Sequence, residues 1–181
     1  MNQSVNGSGM KRMALINDLS CFGKCSLSVA MPILSAYGVE TVPLPTAILS
    51  THTADGFGNY VMRDMTDEMK AFAAHWRQLQ IKFDGICTGF FGSVEQIHFA
   101  KDFLCDFAGE NTLVAVDPVL GDNGALYGCF TDEYVQAMRA LCESAQLITP
   151  NRTEAALLAD CGMDAPVEAL LDALAAENVI I

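Results

Sequence analysis

The chain has 181 residues, 51% hydrophobic and 18% charged, with a formal net charge of −12. That length and composition suit one globular domain with a sizeable core and exclude a disordered chain. No basic run able to track a phosphate backbone is present, which argues against a nucleic-acid partner; a single nucleotide held by backbone amides and a metal stays compatible with the acidity.

The opening MNQSVNGSG reads as a lead-in, so residues 1–11 are set apart as flexible and residues 12–181 as one domain. Met13 to Ile16 is predicted as the first strand, ending at Asn17-Asp18-Leu19-Ser20. A loop with Gly23 and Lys24 then leads to a helix from about Ser26 to Tyr37, closed by Gly38. Pro32 inside it is expected to kink or shorten it. Val39 to Leu44 reads as the second strand, and Thr46 to Thr53, rich in β-branched residues, as an extended flap. Met65, Met69, Phe72, Trp76 and Leu79 step by four and three, which predicts one buried helix face.

FDGICTG gives a short strand. Ser93 and Gln96 are spaced as a capping box opening a helix whose inward face carries Val94, Ile97, Phe103, Leu104 and Phe107, with His98 toward solvent. Leu113 to Val116 is a continuous apolar run, as expected of a parallel strand covered on both faces. Thr131 opens another helix, QLITPN is a strand and its exit, and Asn151 to Ala159 is helical. A helix near Val167 to Ala176 follows, and NVII begins a strand.

This alternation predicts an α/β fold with a mostly parallel central sheet and helices on both faces. Ligands in such sheets bind at the carboxyl ends of the strands. Polar groups collect at four such exits: Asn17, Asp18 and Ser20; Thr88 and Gly89; Asp117 and Asp122; Thr149, Asn151 and Glu154. Asp117 and Asp122, with Gly121 between them, suit either Mg²⁺ or a tight turn. Asn151 and Glu154 are spaced as an N-cap pair, worth about 1 kcal/mol, and could also order metal-bound water. PTAILSTHT could line a pocket or act as a lid, with His52 simply hydrogen-bonded or facing a ligand. Seven cysteines without a CxxC imply a reducing, cytoplasmic setting and mostly buried thiols, and Cys21 and Cys25 have no histidine at zinc-like spacing. The apolar runs are too short to cross a bilayer.

In order along the chain, INDLSCFGKCS, PTAILSTHT, CTGFFGS, VAVDPVLGDNG and ITPNRTEAALL resemble the pyridoxal (vitamin B6) kinases of the ribokinase-like superfamily, from about residue 12 onward. DPVLGD followed by TPNxxE marks the B6 and hydroxymethylpyrimidine kinase branch, and the serine and His-Thr elements favour B6. The resemblance implies ATP-dependent phosphorylation of the 5′-hydroxymethyl of pyridoxal, pyridoxine or pyridoxamine. It implies that Ser20 bonds the pyridine ring, that Thr46, His52 and Thr53 surround the vitamin, and that Phe90 lies beside it. Asp117, Asp122, Thr149, Asn151 and Glu154 fall on the ATP side, with Asp117 and Glu154 as ligands of Mg²⁺ and a monovalent cation left open. It further implies a cytoplasmic homodimer without nucleic-acid or membrane partners. Ala54 and Asp55 stand where relatives often carry Gly-Tyr. The family's glycine-rich GTGD element, with its catalytic Asp, is expected beyond Ile181. On that reading the chain is the N-terminal two-thirds of a family member, lacks the C-terminal part of the fold, and turns over poorly alone. The alternatives are a hydroxymethylpyrimidine kinase or a non-catalytic vitamin-binding remnant.

Overall fold

The computed structural model describes residues 9–53, 56–174 and 176–181. In chain order they form β1 (Arg12–Phe22), α1 (Leu27–Ala36), β2 (Glu40–Thr51), β3 (Met62–Asp64), α2 (Thr66–Gln78), β4 (Gly85–Thr88), α3 (Val94–Phe107) and β5 (Leu113–Val116). Then follow β6 (Gly121–Asp122), β7 (Ala125–Leu126), α4 (Asp132–Cys142), β8 (Leu147–Ile148), α5 (Arg152–Ala159), α6 (Val167–Ala173) and β9 (Asn178–Val179). Seven strands make one sheet in the order β3-β2-β1-β4-β5-β8-β9, and β6 pairs with β7 in a separate hairpin. Every pair in the large sheet is parallel except β2 with β3.

Short apolar runs become strands here because they are covered. Ile16, Ile86, Val114, Val116 and Ile148 join one buried cluster with Met69 and Ala73 of α2, Ile97 and Phe103 of α3, and Met138 and Leu141 of α4. Fully burying each large side chain contributes about 1.5–3 kcal/mol. Trp76, Phe83, Phe99, Phe103 and Phe107 form an aromatic layer in this cluster, with Phe103 stacked on Phe107 at 4.3 Å. On β1, alternate residues face opposite ways, and α1 packs against β1 and β2 with Leu27 buried outside that cluster.

The α/β fold with a mostly parallel sheet stands as expected, and several local readings are corrected. β1 does not end at Ile16. It continues to Phe22 beside the long β2, through a register shift between Asn17 and Leu19. Cross-strand pairing thus overrides the polar composition, and Thr46–Thr51 is strand rather than a separate flap. α1 runs through Pro32 to Ala36, sustained by its packing on the sheet. On α2 the buried residues are Met69 and Ala73, whereas Phe72 and Leu79 are 42% and 41% exposed. Helical spacing fixes a face, but α2 packs mainly on β2 and α3, along a narrow stripe.

The capping box at α3 is half formed. Ser93 Oγ accepts the Gln96 amide at 3.3 Å, while the Gln96 side chain is drawn to other partners. The last helix stops at Ala173, and NVII does begin a strand, with Asn178 beside Leu147. His98 is exposed, as expected. The thiols are not mostly buried: Cys21, Cys105 and Cys129 are exposed and only Cys142 is fully buried. No helix among the described residues is long and apolar enough to cross a membrane.

Candidate active site

Parallel register sets four strand exits level. Ile16, Thr88, Val116 and Ile148 are successive partners across β1, β4, β5 and β8. Directly after them, the Gly89 amide donates to Ile16 O (2.9 Å), the Asp117 amide to Thr88 O (3.0 Å) and the Thr149 amide to Val116 O (3.1 Å). With strands about 4.8 Å apart, Asn17, Gly89, Asp117 and Thr149 form a row about 14 Å long. β1 and β2 extend past this row at one end, and the start of α5 closes the other.

Ser20 and Thr46 lie on the β1–β2 extension, buried at 3% and 0% exposure. The Ser20 hydroxyl donates to Asp18 Oδ2 (3.1 Å). The Thr46 hydroxyl is directed at a protein group, the Phe90 carbonyl. His52 is half-buried with its ring edge-on to Phe57 at 5.8 Å, its backbone amide donates to Phe22 O (2.7 Å), and Thr53 is exposed. Ala54 and Asp55 lie outside the described residues.

Phe90 is half-buried in the middle of the row, 6.1 Å from Phe130, which stacks on Tyr134. Its loop, Gly89–Gly92, is fixed from four elements. Asn17 Oδ1 accepts the Phe90 amide (2.9 Å), Tyr134 donates to Phe91 O (2.9 Å), and Gln96 Oε1 accepts the Gly92 amide (2.8 Å). The Gly89 and Thr46 bonds complete the set, so the ring at position 90 is preorganised.

The β5–β8 end is acidic. Burial pushes the Asp117 carboxyl up to about 6. Burial, and then the charge of Asp117, push the Cys87 thiol up to about 11, which keeps it unreactive. Asn151 and Glu154 form the complete capping box read from the sequence. Asn151 Oδ1 accepts the Glu154 amide (3.0 Å), and Glu154 Oε2 accepts the Asn151 amide (2.8 Å). Glu154 Oε1 also accepts the Leu120 amide (3.2 Å), and Asn151 Nδ2 donates to Gly121 O (2.9 Å), so this pair clamps the loop after β5 onto α5. Burial raises the Glu154 carboxyl, the amide bonds hold it down, and the charge of Asp117 raises it again. Asp122 and Thr149 are exposed. Asp122 caps its own turn, accepting the Asn123 amide at 2.7 Å, in the β6–β7 hairpin that the motif reading did not anticipate.

The motifs also missed Tyr127. Its hydroxyl is raised by partial burial and then by the charges of Asp122, Glu154 and Asp117. A single tyrosine in an irregular loop has no spacing that would have flagged it.

A divalent cation fits this donor set. Asp117 is a hard oxygen donor, half-buried, and the ion pairs among the described residues (Lys11–Asp84, Arg12–Glu40, Lys70–Glu95, Arg77–Asp106) lie elsewhere. Three or more His, Cys, Asp or Glu side chains do not converge on one point among the described residues. Mg²⁺ takes one or two carboxylates and fills its shell with phosphate oxygens and water.

No family model matches the chain. Among solved structures it is similar to a Bacteroides thetaiotaomicron protein provisionally assigned as a phosphomethylpyrimidine kinase. The two are 44% identical, with a TM-score of 0.87, over 93% of this chain and 58% of that one. A second crystal form of that protein, with pyridoxal, gives a TM-score of 0.85. Pyridoxal kinase from Lactobacillus plantarum is 39% identical over 93% of this chain and 60% of that one, with a TM-score of 0.86. Pyridoxal kinase from Leishmania donovani, in complex with ADP, shares the fold at 20% identity and a TM-score of 0.83. The chain therefore spans about three-fifths of the length of the structures it matches. By shared architecture, and at 44% and 39% identity to the two bacterial proteins, the chain has the α/β ribokinase-like fold of pyridoxal kinases and their phosphomethylpyrimidine kinase relatives.

Proposed function

We propose that the protein carrying this chain transfers the γ-phosphoryl of ATP to the 5′-hydroxymethyl group of a B6 vitamer. The observation that carries the reading is the division of the exit row. Hydroxyl and aromatic groups (Ser20, His52, Phe90) occupy the β1–β4 end, and carboxylates (Asp117, Glu154) occupy the β5–β8 end. A flat heterocycle at the first end and a triphosphate at the second would meet over the middle of the row. Phosphoryl transfer needs mainly such positioning together with charge stabilisation.

Ser20, whose hydroxyl donates its hydrogen bond to Asp18, offers lone pairs to a ring N–H or hydroxyl. Phe90, fixed by its loop, supplies an aromatic wall, with His52 and Thr53 at the extension. Thr46 acts through Phe90 rather than by touching the vitamin. Asp117 and Glu154 would hold Mg²⁺, with Asp122 and Tyr127 nearby, and that ion would neutralise phosphate charge. Asn151 and Glu154 keep the loop after β5 in place beneath the phosphates, with the exposed Thr149 beside them on the nucleotide side. The base for the substrate hydroxyl is the Asp expected beyond Ile181. The remaining parts of the reading are a cytoplasmic homodimer, ATP with Mg²⁺ as cosubstrates, and neither nucleic acid nor membrane as partner.

The pyridoxal form of the Bacteroides relative supports the B6 substrate. The assignment given to that same protein supports a second reading, phosphorylation of a hydroxymethylpyrimidine. Coupled assays on both alcohols decide between them, using the full-length protein and the 181-residue chain. The expected result is a higher kcat/KM for pyridoxal at full length and very slow turnover by the 181 residues alone. Equal rates at the two lengths would refute a base beyond Ile181. Calorimetry showing pyridoxal binding without ATP binding at full length would instead favour a non-catalytic vitamin-binding protein.

A further inference from the structure

Asn17 has no part in the reading above, yet it stands in the exit row between Ser20 and Asp117. Its side-chain oxygen accepts two backbone amides, from Phe90 (2.9 Å) and from Asp18 (2.9 Å). Two donors at Oδ1 settle which end of the amide is oxygen, so Nδ2 is the other end. Nδ2 lies over Gly89, where an added Cβ would come within 2.3 Å of it. Residue 89 therefore has to be glycine for the amide to lie across the β4 exit.

Among the described residues Nδ2 has no hydrogen-bond partner, and it is not one of the sealed polar atoms. It is a rigid donor, open to solvent, held over the β4 exit. Three residues further along β1, the Ser20 hydroxyl donates a hydrogen bond to Asp18 Oδ2 (3.1 Å).

We propose that Asn17 is a substrate-binding residue whose Nδ2 donates to an oxygen of the heterocyclic alcohol lying across the β1 and β4 exits. This rests on the kinase reading above and adds to it a donor matched to a ring hydroxyl, a phenolate or the hydroxymethyl oxygen. A neutral amide suits such an acceptor and rejects an ammonium group.

The test is calorimetry of the full-length protein with pyridoxal and separately with ADP, with the melting temperature measured alongside. Asn17→Asp keeps an oxygen for the Phe90 and Asp18 amides but turns the donor into an acceptor. A lost donor facing a bound acceptor weakens binding about tenfold or more. The expected result is that loss for pyridoxal, with ADP affinity and melting temperature close to wild type. If the Asp variant does not fold, Asn17→Ser, too short to reach, is read by its loss of pyridoxal affinity relative to ADP alone, because losing the acceptor of the Phe90 and Asp18 amides lowers its melting temperature in any case. Pyridoxal binding equal to wild type in the variants overturns the inference and leaves the kinase reading standing. Equal losses of pyridoxal and ADP with a lower melting temperature also overturn it, in favour of a purely structural role. No pyridoxal binding by the wild-type protein overturns both.

Discussion

Thr46 donates its hydroxyl to the Phe90 carbonyl across 2.8 Å, tying β2 to the loop that leaves β4. Thr46 is 0% exposed, so water cannot replace the bond if it is lost. Thr46→Val keeps the shape and strands the carbonyl, an expected cost of about 1–3 kcal/mol. It should also weaken pyridoxal binding, because Phe90 loses an anchor. Thr46→Ser keeps the donor and should preserve most of the binding. Denaturant melts and calorimetry on the two variants check this, and the same loss in both would mean that the methyl group matters rather than the hydroxyl.

Asp117 makes stability depend on pH in a direction opposite to that of a salt-bridged carboxylate. Its carboxyl sits at about 6 in the folded chain against 3.8 for an unperturbed Asp, because burial disfavours the charge. Between those values the folded state holds a proton that the unfolded state has released, so stability falls as pH rises through the window, by about 3 kcal/mol in all. Asp117→Asn should therefore stabilise the metal-free protein above pH 6 and leave it unchanged below about pH 4. Mg²⁺ with nucleotide should raise the melting temperature of the wild type but not of this variant. Melting curves across pH, with and without Mg²⁺ and ADP, decide it. A variant less stable than wild type at high pH would show that the carboxylate is already compensated.

Much of this was legible in the residues, and the misreadings of β1 and of the α3 cap share one cause. β5 and its neighbours could be read because a four-residue apolar run bounded by turn residues has few other uses. The Asn151–Glu154 clamp could be read because capping is local chemistry, settled within one helical turn. The extension of β1 through Asp18 and Ser20 could not be read. Its polar side chains look like a loop, and only the long β2 alongside makes them strand. The α3 capping box failed likewise, because Gln96 has stronger partners far away in sequence. Local signals were reliable where no distant partner competed.

Glu154 joins the loop after β5 to α5 through Oε1, which accepts the Leu120 amide, while its Oε2 accepts the Asn151 amide at the start of its own helix. Glu154→Ala leaves the Leu120 and Asn151 amides without acceptors and is expected to cost about 2–4 kcal/mol, partly offset by removing a desolvated charge. Glu154→Gln keeps the volume but sets an NH₂ group against one of those amides, for an intermediate loss. Both should raise KM for ATP more than KM for pyridoxal. Steady-state kinetics of the full-length variants give that ratio, and a larger effect on pyridoxal would move Glu154 out of the nucleotide side.

Gln96 offers the sharpest test of how the loop carrying Phe90 is held. It is fully buried, and each end of its amide is committed. Oε1 accepts the Gly92 amide (2.8 Å), and Nε2 donates toward Thr46 O (2.9 Å), Thr66 Oγ1 (2.9 Å) and Asp64 Oδ2 (3.1 Å). Gln96→Glu retains the acceptor for Gly92 but turns a carboxylate oxygen toward the Thr46 carbonyl and the Asp64 carboxylate. The introduced carboxylate would be buried, unpaired and beside a like charge, so its folded-state pKa must lie well above about 4.3. The variant should lose about 3 kcal/mol or more at neutral pH. Lowering the pH should restore much of that, because the proton taken up re-creates a donor toward Thr46. Gln96→Leu, which cannot titrate, should lose about 2–4 kcal/mol with no such recovery. Unfolding of both variants between about pH 5 and pH 8 separates the explanations, since parallel pH profiles would mean that shape, rather than the Nε2 hydrogen bonds, fixes the junction of β2, α2 and α3.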